Sequence, residues 1–231
     1  MIKRQRLGQH FLVTQSVAKK IVDAACITKK DTVLEIGTGK GILVPLLCEK
    51  AGQVISIESD LELYNTAREK FSDITNLTLL HGDGFESDVK FTIFVSNLPY
   101  SKSREAMEWL VQKKFRLAVV MVQKEFSEKI AEKNSKAVSV LANHAASIEK
   151  IMDVSKNNFF PTPKIDSVIL RLTRKNTIPK ELIQVVNKLF SYKRKKLQNI
   201  AKQFGKVIES GKRLEELSGD EIISIAKQIL K

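Results

Sequence analysis

Residues 97–100 read Asn-Leu-Pro-Tyr and follow FTIFV (91–95), a β-branched apolar run suited to a buried strand. An amide at the end of such a strand needs a partner, because an unpaired buried polar group costs about 1–3 kcal/mol. Asn97 can either bond its own backbone as a strand cap or face a ligand. Three more stretches of the same kind precede it, EIGTGKG (35–41), IESD (57–60) and HGDGF (81–85), each closing an apolar run. Gly37, Gly39 and Gly41 allow a sharp turn and close backbone approach. Their GxGxG spacing is not the GxGxxG of a dinucleotide site, and Lys40 is followed by Gly41, so it is not a phosphate loop either. Glu58 stands about twenty residues beyond the first glycines, where a carboxylate can bond both ribose hydroxyls. Asp83 can accept from an adenine amino group. A glycine turn, a ribose acceptor and an adenine acceptor together describe an adenosine site. Without a phosphate cradle, S-adenosylmethionine fits that site better than NAD or ATP.

The elements that must position these residues follow from periodicity. Short apolar runs predict strands at 32–37, 53–58, 77–83, 91–97, 117–123, 151–155 and 167–173. Helical spacing fills 14–25 (with Thr14 or Ser16 as N-cap), 41–50 (with Pro45 in the first turn), 61–71, 104–113 and 124–146, with a break near Asn134 and Ser135. Strands alternating with helices imply βαβ units and a mostly parallel sheet, whose ligands bind outside the carboxyl ends of the strands. The last two strands have no helix between them and predict an antiparallel hairpin across KNNFFPTPKID (156–166), ordered by Asp166. The expected fold is α/β, a Rossmann-like seven-stranded sheet with its last strand antiparallel. Helices at 180–204 and 218–230 then form a small C-terminal helical domain, giving a division into residues 1–174 and 175–231.

The 231 residues carry a formal net charge of +13, and residues 156–213 alone hold fifteen Lys/Arg against three Asp/Glu. Such asymmetry points to a polyanion, nucleic acid or an anionic surface. FSYKRKKLQNIAKQF (190–204), with Lys193, Arg194, Lys195 and Lys196, reads as a basic helix whose face is either solvated or, beside a domain that acts on nucleic acid, RNA-contacting. No apolar run reaches the roughly 20 residues of a membrane span. Cys26 and Cys48 form no CxxC pair and the three histidines lie far apart, so neither a metal site nor a disulfide framework is expected. These features describe a cytoplasmic protein without a membrane partner.

GQHFL (8–12), VLEIGTGKG (33–41), IESD, GDGF (82–85), NLPY, MVQKEF (121–126) and FFPTPKIDSVILRL (159–172) occur in the order found in one family. The chain resembles the KsgA-type rRNA adenine dimethyltransferases, with an archaeal or eukaryotic flavour, from about Arg6 to Gly205. The resemblance implies a class I methyltransferase fold, S-adenosylmethionine as cofactor, and transfer of two methyl groups to an adenine exocyclic amine. In KsgA-type members the substrates are two adjacent adenines in the 3′-terminal hairpin of small-subunit rRNA, so small-subunit rRNA or a pre-small ribosomal subunit is the implied partner of a monomeric enzyme. His10 and Leu12 match the N-terminal block that lines the cofactor. Gly37 matches the glycine under the methionine moiety, with Gly39 in the same loop. Glu58 matches the ribose acid, Asp83 the adenine acid, and Asn97, Leu98, Pro99 and Tyr100 the catalytic tetrapeptide. Phe159 matches the aromatic that closes over the target base. Thr38 stands where the family often has Pro, and the C-terminal part is short.

An adenine exocyclic amine is a poor nucleophile because its lone pair is conjugated into the ring. Two acceptors aimed at its hydrogens, the Asn97 side-chain carbonyl and the Leu98 backbone carbonyl, favour a pyramidal nitrogen with an available lone pair. Pro99 stiffens that turn, and Tyr100 offers a π-face worth about 1–3 kcal/mol to a flipped base. A strong general base is not needed, since the proton becomes acidic once the methyl is attached. Two other readings share these residues: a large-subunit rRNA adenine methyltransferase of the macrolide-resistance type, and an RNA-binding ribosome-assembly factor whose methylation is secondary.

Overall fold

The computed structural model describes residues 10–132 and 136–231. The expected helix break at Asn134 and Ser135, and Gly8 and Gln9 of the N-terminal block, lie outside the described residues. Two compact units divide the chain. One comprises residues 1–106, 114–124 and 149–173, and the other 107–113, 125–148 and 174–231.

The first unit carries the sheet. In chain order its elements are β1 (Phe11–Leu12), α1 (Gln15–Ala24), β2 (Thr32–Ile36), α2 (Val44–Lys50), β3 (Gln53–Glu58), α3 (Leu61–Lys70), β4 (Leu77–His81) and β5 (Ile93–Asn97). Later in the chain come α4 (Ser103–Leu110), β6 (Leu117–Gln123), α5 (Lys124–Ala131), α6 (Ala137–Ala145), β7 (Ala146–Val154), β8 (Phe159–Phe160) and β9 (Ser167–Arg174), of which α6 and all but the first residue of α5 lie in the second unit. Among the described residues, seven strands form one sheet in the order β4-β3-β2-β5-β6-β9-β7. β3, β2, β5 and β6 run parallel, as do β3 and β4, whereas β9 pairs antiparallel with β6. The expected fold, a class I methyltransferase sheet with an antiparallel strand, is the fold observed. β2, β5 and β6 are apolar nearly throughout because both their faces are covered, the mark of a buried parallel sheet. α1 shows the opposite pattern, burying only Val17, Ala18, Ile21 and Val22 on one stripe. Thr14 occupies its N-cap position, although without a side-chain cap bond.

The strand order contains the feature that makes a site. From β2 the chain steps outward through β3 to β4, then returns to β5 on the other side of β2. Loops leaving β2 and β5 therefore diverge, opening a crevice at the topological switch point. Ser96 ties the two strands there, donating from Oγ to the Ile36 carbonyl at 2.6 Å.

Three local expectations differ from what the backbone does. β7 begins at Ala146 rather than 151, so ASIEK (146–150), which no expected strand included, is part of the strand. The stretch around Phe159, expected as loop, pairs with the stretch around Phe11, to which no element was assigned, in a two-stranded antiparallel sheet joining Phe11 with Phe160 and Leu12 with Phe159. The helix expected over 180–204 is two helices, α7 (Lys180–Ser191) and α8 (Leu197–Lys202).

That last break belongs to the second unit, whose core gathers Leu182, Val186 and Leu189 of α7, Leu197 and Ile200 of α8, and Ile222 and Ala226 of α9 (Gly219–Leu230). Continuing α7 would place Lys193 on its apolar stripe, one turn beyond Leu189. The chain turns instead, and Lys196, extended, bridges Arg213. The basic run is therefore a turn, not a helix face, with Arg194, Lys195 and Lys196 exposed and Lys193 half-buried. Lys195 folds its ammonium over the Tyr192 ring at 5.0 Å. Ser218 caps α9 by accepting from the Glu221 N–H, while the Glu221 carboxylate returns to the Ser218 N–H.

Candidate active site

A cavity lies at the carboxyl ends of β2, β3 and β5, and its walls are made by the loops singled out in the sequence. It is lined by His10, Leu12, Gly37, Gly39, Glu58, Asp83, Asn97, Leu98, Pro99 and Tyr100, together with Phe11, Glu35, Lys40, Ile57, Leu63, Phe85 and Lys102.

Glu58 ends β3 and is 4% exposed. Its carboxylate is held rigidly, with Oε2 accepting from the Gly39 N–H at 2.8 Å and Oε1 from the Asp60 N–H at 2.9 Å. One residue thus fixes the glycine turn and the start of α3, whose own N-cap is Asp60. Each carboxylate oxygen keeps a second lone pair for a diol. Gly37 has φ +86°, and a Cβ built on it would meet no atom within 4 Å, so its bare face opens on free space. Gly41 serves packing instead: a Cβ there would come within 2.4 Å of the Phe71 ring. Asp83 accepts from the Phe85 N–H at 2.9 Å, turning the chain so that both residues line the cavity.

Glu35 was not foreseen as a site residue, although an acid inside the run VLEIG is visible in the sequence. It is 1% exposed, and burial pushes its carboxyl up to about 8, with the Glu58 charge adding to the effect against the bond from Ser56. Ser56 Oγ donates to Glu35 Oε2 at 2.5 Å and lies 2.6 Å from Thr38 Oγ1. A buried chain therefore runs from strand to glycine loop, and Thr38, where a proline was the common residue, supplies its last link. The Cys48 thiol is also pushed up, to about 11, by burial and by the Glu35 charge, which makes it inert.

On the opposite wall Asn97 closes β5, half-buried, with its backbone in register with Met121. Its side chain has no hydrogen-bond partner among the described residues, unlike a strand cap bonding its own backbone. Leu98 is 2% exposed, anchoring the loop in the core so that its carbonyl is held in place. Pro99 opens a short 3₁₀ turn over Tyr100–Lys102. Tyr100 is fixed at both ends. Its hydroxyl lies 2.8 Å from Ser167 Oγ and its ring is 5.7 Å from the His10 ring. Burial raises the Tyr100 phenol above its ordinary range. His10 Nδ1 lies 2.7 Å from the Pro161 carbonyl, which can only accept, so Nδ1 carries the hydrogen of that bond.

Phe159 requires a correction. It is 2% exposed and packed in the hydrophobic core, so it presents no face to a base. Neighbouring residues on a strand point to opposite sides, and Phe160, 63% exposed, takes the outward one. Lys193, Arg194, Lys195 and Lys196 belong to the other unit and are not among the residues lining this cavity. Asp166 orders its loop as expected, accepting from the Lys156 N–H at 2.9 Å.

Carboxylates beside a glycine turn, apolar walls of Ile57, Leu63 and Phe85, and an open face at Gly37 fit an adenosine group with a further substituent. The model of the ribosomal RNA adenine dimethylase family matches residues 2–230. The chain belongs to that family. It is thus an rRNA adenine dimethyltransferase, an enzyme class whose family and fold imply S-adenosylmethionine. Among curated relatives, a ribosomal RNA small subunit methyltransferase A from Thermotoga petrophila is 36% identical over 231 residues, covering 95% of this chain and 89% of its own. The protein of the same description from Clostridium botulinum strain Langeland is 35% identical over 93% of this chain and 85% of its own. Among solved structures, a dimethyladenosine transferase from Plasmodium falciparum superposes with a TM-score of 0.80 at 25% identity, over 96% of this chain and 98% of that one. The 23S rRNA methyltransferase ErmE shares the fold at a TM-score of 0.70 and 22% identity, over 96% of this chain and all of that one.

Proposed function

We propose that this dimethyltransferase moves methyl groups from S-adenosylmethionine to the exocyclic amines of two adjacent adenines in the 3′-terminal hairpin of small-subunit rRNA. It acts as a cytoplasmic monomer on that rRNA or on a pre-small ribosomal subunit. The observation that carries this reading is one cavity with the fixed Glu58 carboxylate and bare Gly37 on one wall and, on the other, an Asn97 amide without a partner among the described residues. The sulfonium cofactor supplies an electrophilic methyl; the chain supplies position. Glu58 would hold the ribose, Asp83 the adenine amine, and Gly37 and Gly39 the neighbouring backbone, with His10 and Leu12 closing that side. Asn97 and the Leu98 carbonyl would accept the hydrogens of the target amine, Pro99 would keep their spacing, and Tyr100 would stack on the base. Catalysis is assigned to residues 1–174 and RNA docking to 175–231, with the turn Lys193–Lys196 meeting phosphates.

The test uses ribosomal subunits from a strain lacking the enzyme, incubated with protein and methyl-labelled cofactor. Primer extension should stop at two adjacent adenines near the 3′ end of small-subunit rRNA. Label confined to large-subunit rRNA would transfer the protein to the resistance-type reading. Rescue of subunit maturation by an Asn97→Ala variant would make it an assembly factor first.

A further inference from the structure

Phe160 is the most exposed aromatic side chain among the described large hydrophobic residues, at 63%. It sits on β8, directly across from Phe11 of β1. The Phe11 ring packs on the glycine loop, where a Cβ on Gly39 would lie 3.3 Å from it. The Lys40 ammonium stands over both rings, 5.2 Å from the Phe11 centroid and 5.6 Å from that of Phe160. Phe11 and Lys40 line the cavity, whereas Phe160 does not. The three side chains thus form a step at the mouth, on the glycine-loop side, away from Asn97. A large exposed phenyl ring is unfavourable in water, and a cation fixed against it by ring quadrupoles is held in place. Aromatic faces paired with cations are how proteins bind single-stranded nucleic acid, the ring stacking on a base and the cation meeting its phosphate.

We infer that Phe160, braced by Lys40 of the cavity wall, forms a stacking platform at the cavity mouth for the nucleotide next to the target adenine. This rests on the proposed function. Taking one base out of a stack leaves its neighbour with an uncovered face, and a platform at the rim covers it. Lys164, exposed in the same loop, adds a second cation within the segment that follows β8. Because Phe160 lies outside the cofactor walls, the platform acts on RNA alone.

The experiment combines protein and RNA changes. The probes are a hairpin RNA of the small-subunit 3′ end and two copies carrying an abasic site, one on each side of the target. Phe160→Ala should weaken binding and kcat/KM on the intact hairpin about 5- to 100-fold, the scale of one base stack. Phe160→Trp should restore both. One abasic RNA should reproduce the loss with the unaltered protein, and combining it with Phe160→Ala should add nothing further. Affinity for S-adenosylhomocysteine should stay within twofold. Unaltered RNA binding by Phe160→Ala, multiplying losses with both abasic RNAs, or a parallel fall in cofactor affinity would each overturn the platform alone. An unaltered protein that methylates these adenines neither in the hairpin nor in subunits from the strain lacking the enzyme would overturn the proposed function and the platform with it.

Discussion

Asp31 and Glu35 stand at opposite ends of β2, both carboxylates and both buried, yet their surroundings differ. Asp31, before the strand, accepts from the Thr28 N–H and hydroxyl, the Thr92 hydroxyl and the Arg116 guanidinium, all at 2.8–2.9 Å. Burial works to raise its carboxyl, but these donors outweigh it and hold the group below the usual carboxylate range. Glu35, in the cavity wall, has the single side-chain donor Ser56 among the described residues, and there burial wins. The first is a staple that joins β2, β5 and β6 at their amino ends. The second is a proton-bearing acid beneath the glycine loop. A buried charge with several donors stabilises the fold, whereas one with few marks where the fold has been left open for chemistry.

If the two ends divide stability from chemistry in this way, substitutions should separate cleanly. The largest effect is expected for Asn97→Ala: methyl transfer should fall at least about 100- to 1,000-fold, the loss on removing one preorganised polar partner. S-adenosylhomocysteine affinity should stay within about tenfold, and near-normal turnover would remove Asn97 from the chemistry. Asp31→Ala should do the reverse, lowering unfolding free energy by about 3 kcal/mol through loss of bonds to a charged acceptor, with activity retained while the protein is folded. Its contribution is present above the unfolded-state pKa and is lost as pH falls through the lower folded value. Urea unfolding at pH 7 and pH 3 should therefore show the two proteins converging in acid.

Glu58→Ala should weaken S-adenosylhomocysteine binding by about 1.5–3 kcal/mol by calorimetry, and an unchanged Kd would place the ribose elsewhere. Glu35 carries the opposite pH sign from Asp31. Its folded pKa is raised, so the folded state binds more protons between about 4.5 and 8 and loses stability as pH climbs through that window. Glu35→Gln should flatten this part of the profile and be the more stable form at pH 9, by about 2 kcal/mol; a steeper profile for the variant would contradict the assignment. The smallest energetic effect belongs to the second unit. Replacing Lys193, Arg194, Lys195 and Lys196 with Ala should flatten the salt dependence of RNA binding by about two to three units of slope, without altering cofactor affinity. An unchanged slope in filter binding would take this turn out of the docking surface.

The residues that line the cavity were legible in the chain because each closes a short apolar run, and a parallel sheet collects strand ends at one edge whatever the remaining details. That is why Gly37, Glu58, Asp83 and Asn97, spread over sixty residues, could be gathered at one sheet edge from the strand ends, with the family resemblance adding the roles of Gly37 and Asn97. Two-residue strands were not legible. Phe11–Leu12 and Phe159–Phe160 have no period of their own, and only pairing across about 150 residues makes them a sheet. That pairing, not the motif, decided which phenylalanine faces solvent and which enters the core. The same holds for the turn at Lys193–Lys196, where local propensity favours a continuing helix and burial of Leu197 and Ile200 overrules it. Glu35 shows the limit most directly. Its presence is written in the sequence, but its proton is not, because a carboxyl keeps a hydrogen at neutral pH only when the folded chain removes water and supplies too few donors in return.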